Sequence, residues 1–185
     1  VEHKDDRSPL TEADRRSNEM ICRGLEGLEE RLPILSEETR QAPWEERRQW
    51  NRFWLVDPLD GTKEFVKRNG EFTVNIALVE EGAPVLGVVY APVLDTLYAA
   101  DENGAWNASS TGATQVLHVA APEPGKPVNV VASRSHLNPE TETFIRELEA
   151  VYSEVALVSR GSSLKLCLVA EGAAHLYPRL APTME

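Results

Sequence analysis

Asp57, Pro58, Leu59, Asp60, Gly61 and Thr62 follow the apolar run Phe53-Trp54-Leu55-Val56, so two carboxylates, a backbone carbonyl and a hydroxyl leave one buried strand together. Two carboxylates about 4 Å apart repel by roughly 4 kcal/mol at an effective dielectric near 20, and cations offset that cost. Hard divalent ions such as Mg2+ suit the set. They take carboxylate and carbonyl oxygens and keep waters that a phosphate or a nucleophile can replace, which is the chemistry of phosphoryl transfer. Pro58 has a fixed φ and no N–H, and Gly61 permits a tight turn, so the two aspartates can face one point. Taken alone, the run also reads as a strand ending in an Asp-rich turn, because Asp, Pro and Gly are ordinary turn residues.

The flanking elements must position this run. From Thr11 to Leu32 the apolar residues Ala13, Met20, Ile21, Leu25, Leu28 and Leu32 keep a helical period, and Thr11 with Asp14 makes a start signal, so one long amphipathic helix is expected. Pro33 to Ser36 reads as a short strand ending at Glu37-Glu38, and Thr39 to Gln49 as a charged loop. After the aspartates, Lys63 to Val66 makes a helical turn. Phe72 to Val79 and Val85 to Tyr90 pair around Glu80-Glu81-Gly82-Ala83-Pro84, and Thr96 to Ala100 extends the sheet. Ala120 to Pro127, with three prolines and a glycine, breaks both periodicities and separates an α+β unit, residues 1–119, from an α/β unit, residues 120–185. In the second unit, strands at Asn129 to Ala132, Val155 to Val158 and Ala174 to Tyr177 alternate with helices starting at Asn138-Pro139-Glu140 and running from Ser162 to Ala170.

A net charge of −11 over 185 residues leaves no excess of Lys and Arg to engage a nucleic-acid backbone, so nucleic-acid partners are excluded. A small anionic substrate has to be met by metals and a few basic side chains. No apolar run approaches the roughly 20 residues that span a bilayer, and the start carries no signal-peptide pattern. Cys22 and Cys167 are isolated, which suggests a reducing cytoplasm.

Three separated pieces, Ser8-Pro9-Leu10-Thr11-Glu12-Ala13-Asp14, Leu35-Ser36-Glu37-Glu38 and the Asp57 to Thr62 run, resemble in order and spacing the lithium-sensitive, Mg2+-dependent inositol monophosphatase superfamily. Gly61 to Phe65 followed by Arg68 to Leu78 is similar to its bacterial CysQ branch, the 3'(2'),5'-bisphosphate nucleotidases. The likeness continues through Ser133 to His136, Gly161 to Lys165 and Ala170 to Arg179. This resemblance implies a layered α+β and α/β sugar-phosphatase fold (αβαβα) with two or three Mg2+ ions. Glu37, Asp57 and the carbonyl of Leu59 would bind one ion, and Asp57 with Asp60 a second. Thr62, hydrogen-bonded to Asp14, would orient the nucleophilic water and relay its proton.

The resemblance also implies that Glu37, Leu59, Asp60, Gly61 and Thr62 meet the scissile phosphate, while His136, Ser162, Lys165 and Arg179 contact the nucleotide and its 5'-phosphate. A second phosphate does need cations that the acidic cradle does not supply. Read singly, these residues keep plainer roles: Asp14 as a cap, Glu37 as a surface acid, His136 as a polar residue ahead of a helix, Lys165 and Arg179 as solvated charges. The implied reaction removes the 3'-phosphate of adenosine 3',5'-bisphosphate, or acts on its sulfated form, in sulfur assimilation and nucleotide recycling. The implied setting is the cytoplasm or the cytoplasmic face of the bacterial inner membrane, with a homodimer left open. An inositol or other sugar monophosphate phosphatase is the alternative served by the same cradle. A non-catalytic metal- or nucleotide-binding fragment is the other. The family's Trp-Asp-x-Ala-Ala-Gly segment, which gives the second metal a further aspartate, is expected to begin where the chain stops at Glu185, so the C-terminal part is expected to be incomplete.

Overall fold

The structure, a computed structural model, describes residues 2–3, 9–39, 41–132 and 138–180. The expected nucleotide contact His136, with Ser8 and Ser133 to Ser135 of the quoted motifs, lies outside the described residues. Contacts within the chain divide it into two units, residues 1–116 and 117–185.

The first unit opens with β1 (Glu2–His3) antiparallel to β2 (Pro9–Leu10), a pair too short to leave a pattern in the sequence. Helix α1 (Glu12–Glu26) starts at Thr11 with a reciprocal cap: the Ala13 N–H donates to the Thr11 hydroxyl at 3.1 Å, and the Thr11 N–H donates to the Asp14 carboxylate at 2.8 Å. The helix stops short of the expected Leu32. Gly24 falls in its last turn, where it costs about 1 kcal/mol of helix propensity, and Gly27 caps the end, its N–H turning back to the Gly24 carbonyl at 3.2 Å. The buried side chains of α1 are polar, Asp14 and Asn18, while Met20 is 73% exposed.

Next come β3 (Ile34–Ser36), α2 (Trp44–Arg47), β4 (Arg52–Asp60), α3 (Thr62–Lys67), β5 (Thr73–Glu80), β6 (Ala83–Ala91), β7 (Thr96–Asp101), β8 (Gly104–Ala108) and β9 (Thr114–Val116). The strands form one sheet in the order β3-β4-β5-β6-β7-β8-β9, with β3 parallel to β4 and every later pair antiparallel. The β5–β6 hairpin is tighter than the sequence suggests. Glu80 pairs with Ala83, and Glu81 and Gly82 both take positive φ (51° and 80°), as a two-residue turn matched to strand twist requires. Helix α2 falls in the expected loop; Pro43 leads it, acids fill its first turn, and it buries no residue, so no apolar stripe announces it. Strands β8 and β9 were not expected either, since β9 is three residues long and fully exposed.

In the second unit β10 (Val128–Ala132) and β11 (Val155–Ser159) are parallel neighbours joined through α4 (Pro139–Val151), the crossover that parallel strands need. Val128, Val130 and Ile145 form its core, with Leu148, Tyr152, Val155 and Leu176 packed on it. Helix α5 (Leu164–Ala170) follows. The strand expected from Ala174 to Tyr177 reduces to a single bridge, Val130 to Leu176. The His175 ring explains it: its Nδ1 accepts the Asn129 N–H at 2.9 Å in place of a ladder carbonyl, and Pro178 then has no N–H to extend a ladder.

Candidate active site

Strand β4 carries the carboxylates. In a regular strand, residues three apart point to opposite faces, so Asp57 and Asp60 would diverge. The ladder instead pairs Asp57 with Asn75 and Asp60 with Thr73, so the β4 side has one residue more than the β5 side between the pairs. Pro58, which lacks the donor a ladder needs, sits within this bulge, and the extra residue brings both aspartates back to one face. The Leu59 N–H closes the bend on Asp57 Oδ1 at 3.1 Å. Gly61, at φ 90° and ψ 43°, then makes the left-handed step that starts α3 at Thr62.

Glu37 arrives from the neighbouring strand. Its N–H donates to the Val56 carbonyl at 3.1 Å, carrying the β3–β4 pairing one residue past Ser36 and setting Glu37 beside Asp57. Burial pushes the Asp57 carboxyl up to about 8, and the Glu37 and Asp60 charges add to it. Such a group gives up its proton when a divalent cation neutralises the cluster, so the donors fit Mg2+: carboxylate oxygens plus the Leu59 carbonyl. Among the described residues no three His, Cys, Asp or Glu side chains form a ready-made cage.

Thr62 connects this cluster to α1. Its hydroxyl lies 3.3 Å from Asp14 Oδ1 and 3.5 Å from the Leu59 carbonyl, while the Thr11 hydroxyl donates to the other Asp14 oxygen, Oδ2, at 2.5 Å. Asp14 is 1% exposed. Glu37, Asp57, Leu59, Asp60, Gly61, Thr62 and Asp14 therefore belong to one region of the first unit. The sequence reading missed three polar residues behind them: Ser17, Asn18 and Ser36. A signal for the first two existed, since they lie three and four positions after Asp14 on a helix.

In the second unit Ser162 is buried in a left-handed conformation (φ 56°) just before α5. The Lys165 N–H donates to its carbonyl at 3.5 Å, and Lys165 Nζ stands 5.9 Å from the centroid of the Tyr177 ring, within cation–π range. Arg179 is exposed. Neither cysteine competes as a nucleophile: burial raises the Cys22 thiol and pushes Cys167 up to about 12.

A bulged strand presenting paired carboxylates beside a glutamate from a parallel neighbour, on a mixed α and β scaffold, suits a metal-dependent phosphatase, and comparison with known proteins gives the family. The chain belongs to the Inositol monophosphatase family, whose profile matches residues 1–185. Within that family, the 3'(2'),5'-bisphosphate nucleotidase CysQ of Salmonella typhimurium is 53% identical over 180 residues, covering 97% of this chain and 70% of that protein. CysQ of Escherichia coli K12 is 50% identical over 183 residues, covering 99% of this chain and 71% of that one. The crystal structure of CysQ from Bacteroides thetaiotaomicron, a bacterial member of the inositol monophosphatase family, matches with a TM-score of 0.84 at 48% identity, over 98% of this chain and 71% of that chain. The layered fold that the resemblance implied is thus the fold observed. Members of this family are Mg2+-dependent. Among the described residues no helix is long and apolar enough to cross a membrane.

Proposed function

We propose that the protein is a Mg2+-dependent phosphatase that removes the 3'-phosphate of adenosine 3',5'-bisphosphate, giving AMP and inorganic phosphate. The bulge of β4, which turns Asp57 and Asp60 to one face beside Glu37, carries this reading. The similarity to CysQ nucleotidases supports the choice of substrate. Mg2+, when bound, would neutralise charge at the phosphate and make a coordinated water easier to deprotonate. Glu37, Asp57 and the Leu59 carbonyl would hold one ion, and Asp57 with Asp60 would hold a second. The Thr62 hydroxyl accepts the proton of the attacking water and passes its own to Asp14, whose Oδ1 already faces it. Glu37, Leu59, Asp60, Gly61 and Thr62 together border the scissile phosphate, the last two through backbone donors at the start of α3.

The phosphate that does not react is assigned by the family resemblance: Ser162 would offer a hydroxyl and Lys165 and Arg179 charge, as would His136, which lies outside the described residues. The substrate is a small molecule, and the sulfated relative of the nucleotide has the same 3'-phosphate.

Phosphate release by the purified protein with Mg2+ tests the assignment, comparing adenosine 3',5'-bisphosphate with inositol 1-phosphate. Release from the nucleotide in preference to the ester is expected, and release from the ester alone overturns it. Arg179→Ala is expected to raise KM for the bisphosphate and leave a monophosphate almost untouched; equal loss on both removes Arg179 from the site.

A further inference from the structure

Asp14, Ser17 and Asn18 occupy helix positions i, i+3 and i+4 of α1 and so share one face. Each bonds to a different part of the candidate metal site. Asp14 accepts from Thr62. Ser17 Oγ donates to the Pro58 carbonyl at 2.7 Å, inside the Asp57 to Asp60 bulge. Asn18 Oδ1 accepts from Ser36 Oγ at 2.6 Å, one residue before Glu37. The Glu38 N–H approaches the same Ser36 oxygen at 3.4 Å, so Glu37 is bracketed by atoms tied to Ser36.

The Asn18–Ser36 pair is buried, at 8% and 1% exposure. Two apolar side chains of similar shape fill such a place at comparable stability, whereas a lone polar atom left there is costly. What the polar pair adds is direction. Functional groups have to be held to within about 0.5 Å of working geometry, and adjacent helix residues bonded to adjacent parallel strands hold two strand ends at a fixed distance from each other.

We infer that Ser17 and Asn18 are positioning residues: they fasten the Ser36–Glu37 and Asp57–Asp60 segments to one rigid helix, so that α1 sets the spacing of the carboxylates and thereby the affinity for divalent cation. The inference rests on the reading of Glu37, Asp57 and Asp60 as metal ligands.

The test is a titration with Mn2+ as the probe, following free Mn2+ by electron paramagnetic resonance, with the melting temperature of each metal-free variant recorded beside it. Asn18→Ala and Ser36→Ala are each expected to weaken Mn2+ binding by about tenfold, the scale found when a residue behind a metal ligand is removed. The double variant binds no more weakly than the worse single one, because both cut the same bond. Ser17→Ala, at a half-buried position, weakens binding by a separate route, so its loss multiplies with that of Asn18→Ala; it also carries the test should a buried variant fail to fold. Unchanged Mn2+ affinity with a lowered melting temperature overturns the inference, as do losses that multiply between Asn18→Ala and Ser36→Ala. Absence of Mn2+ binding by the unmodified protein overturns the metal reading itself.

Discussion

At the start of α1 the Thr11 N–H meets the Asp14 carboxylate; at the start of α4 the Asn138 side chain accepts the Thr141 N–H at 2.9 Å. Both are polar caps joined to the third helical residue, and the sequence announces both. Their partners differ. The Asp14 carboxylate also accepts from Thr62, 48 residues on, whereas the Asn138 cap stays within its own turn. Behind the caps, α1 buries Asp14 and Asn18, and α4 buries Thr141 and Ile145. One helix spends its hidden face on aiming other groups, the other on filling a core. A local start signal shows where a helix begins and is silent about a second duty of the capping group.

The contrast breaks or sharpens by mutation. Asp14→Asn is expected to lower turnover by about 10²- to 10⁴-fold, the scale of a lost proton acceptor, with a small change in melting temperature. Normal kcat in that variant would make Asp14 a cap like Asn138. Ile145→Ala should do the reverse: it costs roughly 2–5 kcal/mol in urea unfolding, while turnover per folded molecule holds. A turnover loss in proportion would mean that α4, too, aims catalytic groups.

Acid–base behaviour separates the regions as well. The Asp57 carboxyl, raised from 3.8 to about 8 by burial and by its acidic neighbours, binds a proton in the folded metal-free protein that the unfolded chain has already released. Its contribution is fully present below pH 3.8 and is lost as pH rises through about 8. Calorimetry in chelator should therefore show stability from this group falling over that window, and saturating Mg2+ should flatten the slope; a slope indifferent to Mg2+ would detach Asp57 from the ion. The smallest effect is reserved for Asn138→Ala, about 1 kcal/mol of stability at unchanged KM, measured by denaturant unfolding and initial rates.

The carboxylate run was legible because its chemistry is contiguous: strand, proline, glycine and both aspartates sit in a few residues, and the bulge follows from the proline. The start of α4 was legible for the same reason, and the β5–β6 hairpin was legible in its place though not in its two-residue turn. Ser17 and Asn18 had only their helix spacing from Asp14 to mark them, and a serine and an asparagine on a charged helix look like a solvated face until Pro58, 41 residues away, and Ser36, 18 away, are placed against them. The expected extension of α1 to Leu32 followed an apolar period that two glycines interrupt, and Leu28 ends up 46% exposed. The last expected strand gave way to a histidine ring, a side-chain substitution for a backbone bond that no periodicity encodes.

The hairpins from β5 to β9 pair each strand with the next one along the chain, while the bonds from α1 to Pro58 and Thr62 span 41 and 48 residues. Closing long loops costs more chain entropy than forming successive hairpins, so the sheet is expected to assemble first and α1 to dock on it late. Cutting the Asn18–Ser36 bond should then hasten unfolding in stopped-flow traces and leave the folding rate unchanged, and a slowed folding limb would place α1 in the nucleus instead. On that order the strands pair before the carboxylates are aimed, so a metal site built from them would be the last property this unit acquires and the first it gives up.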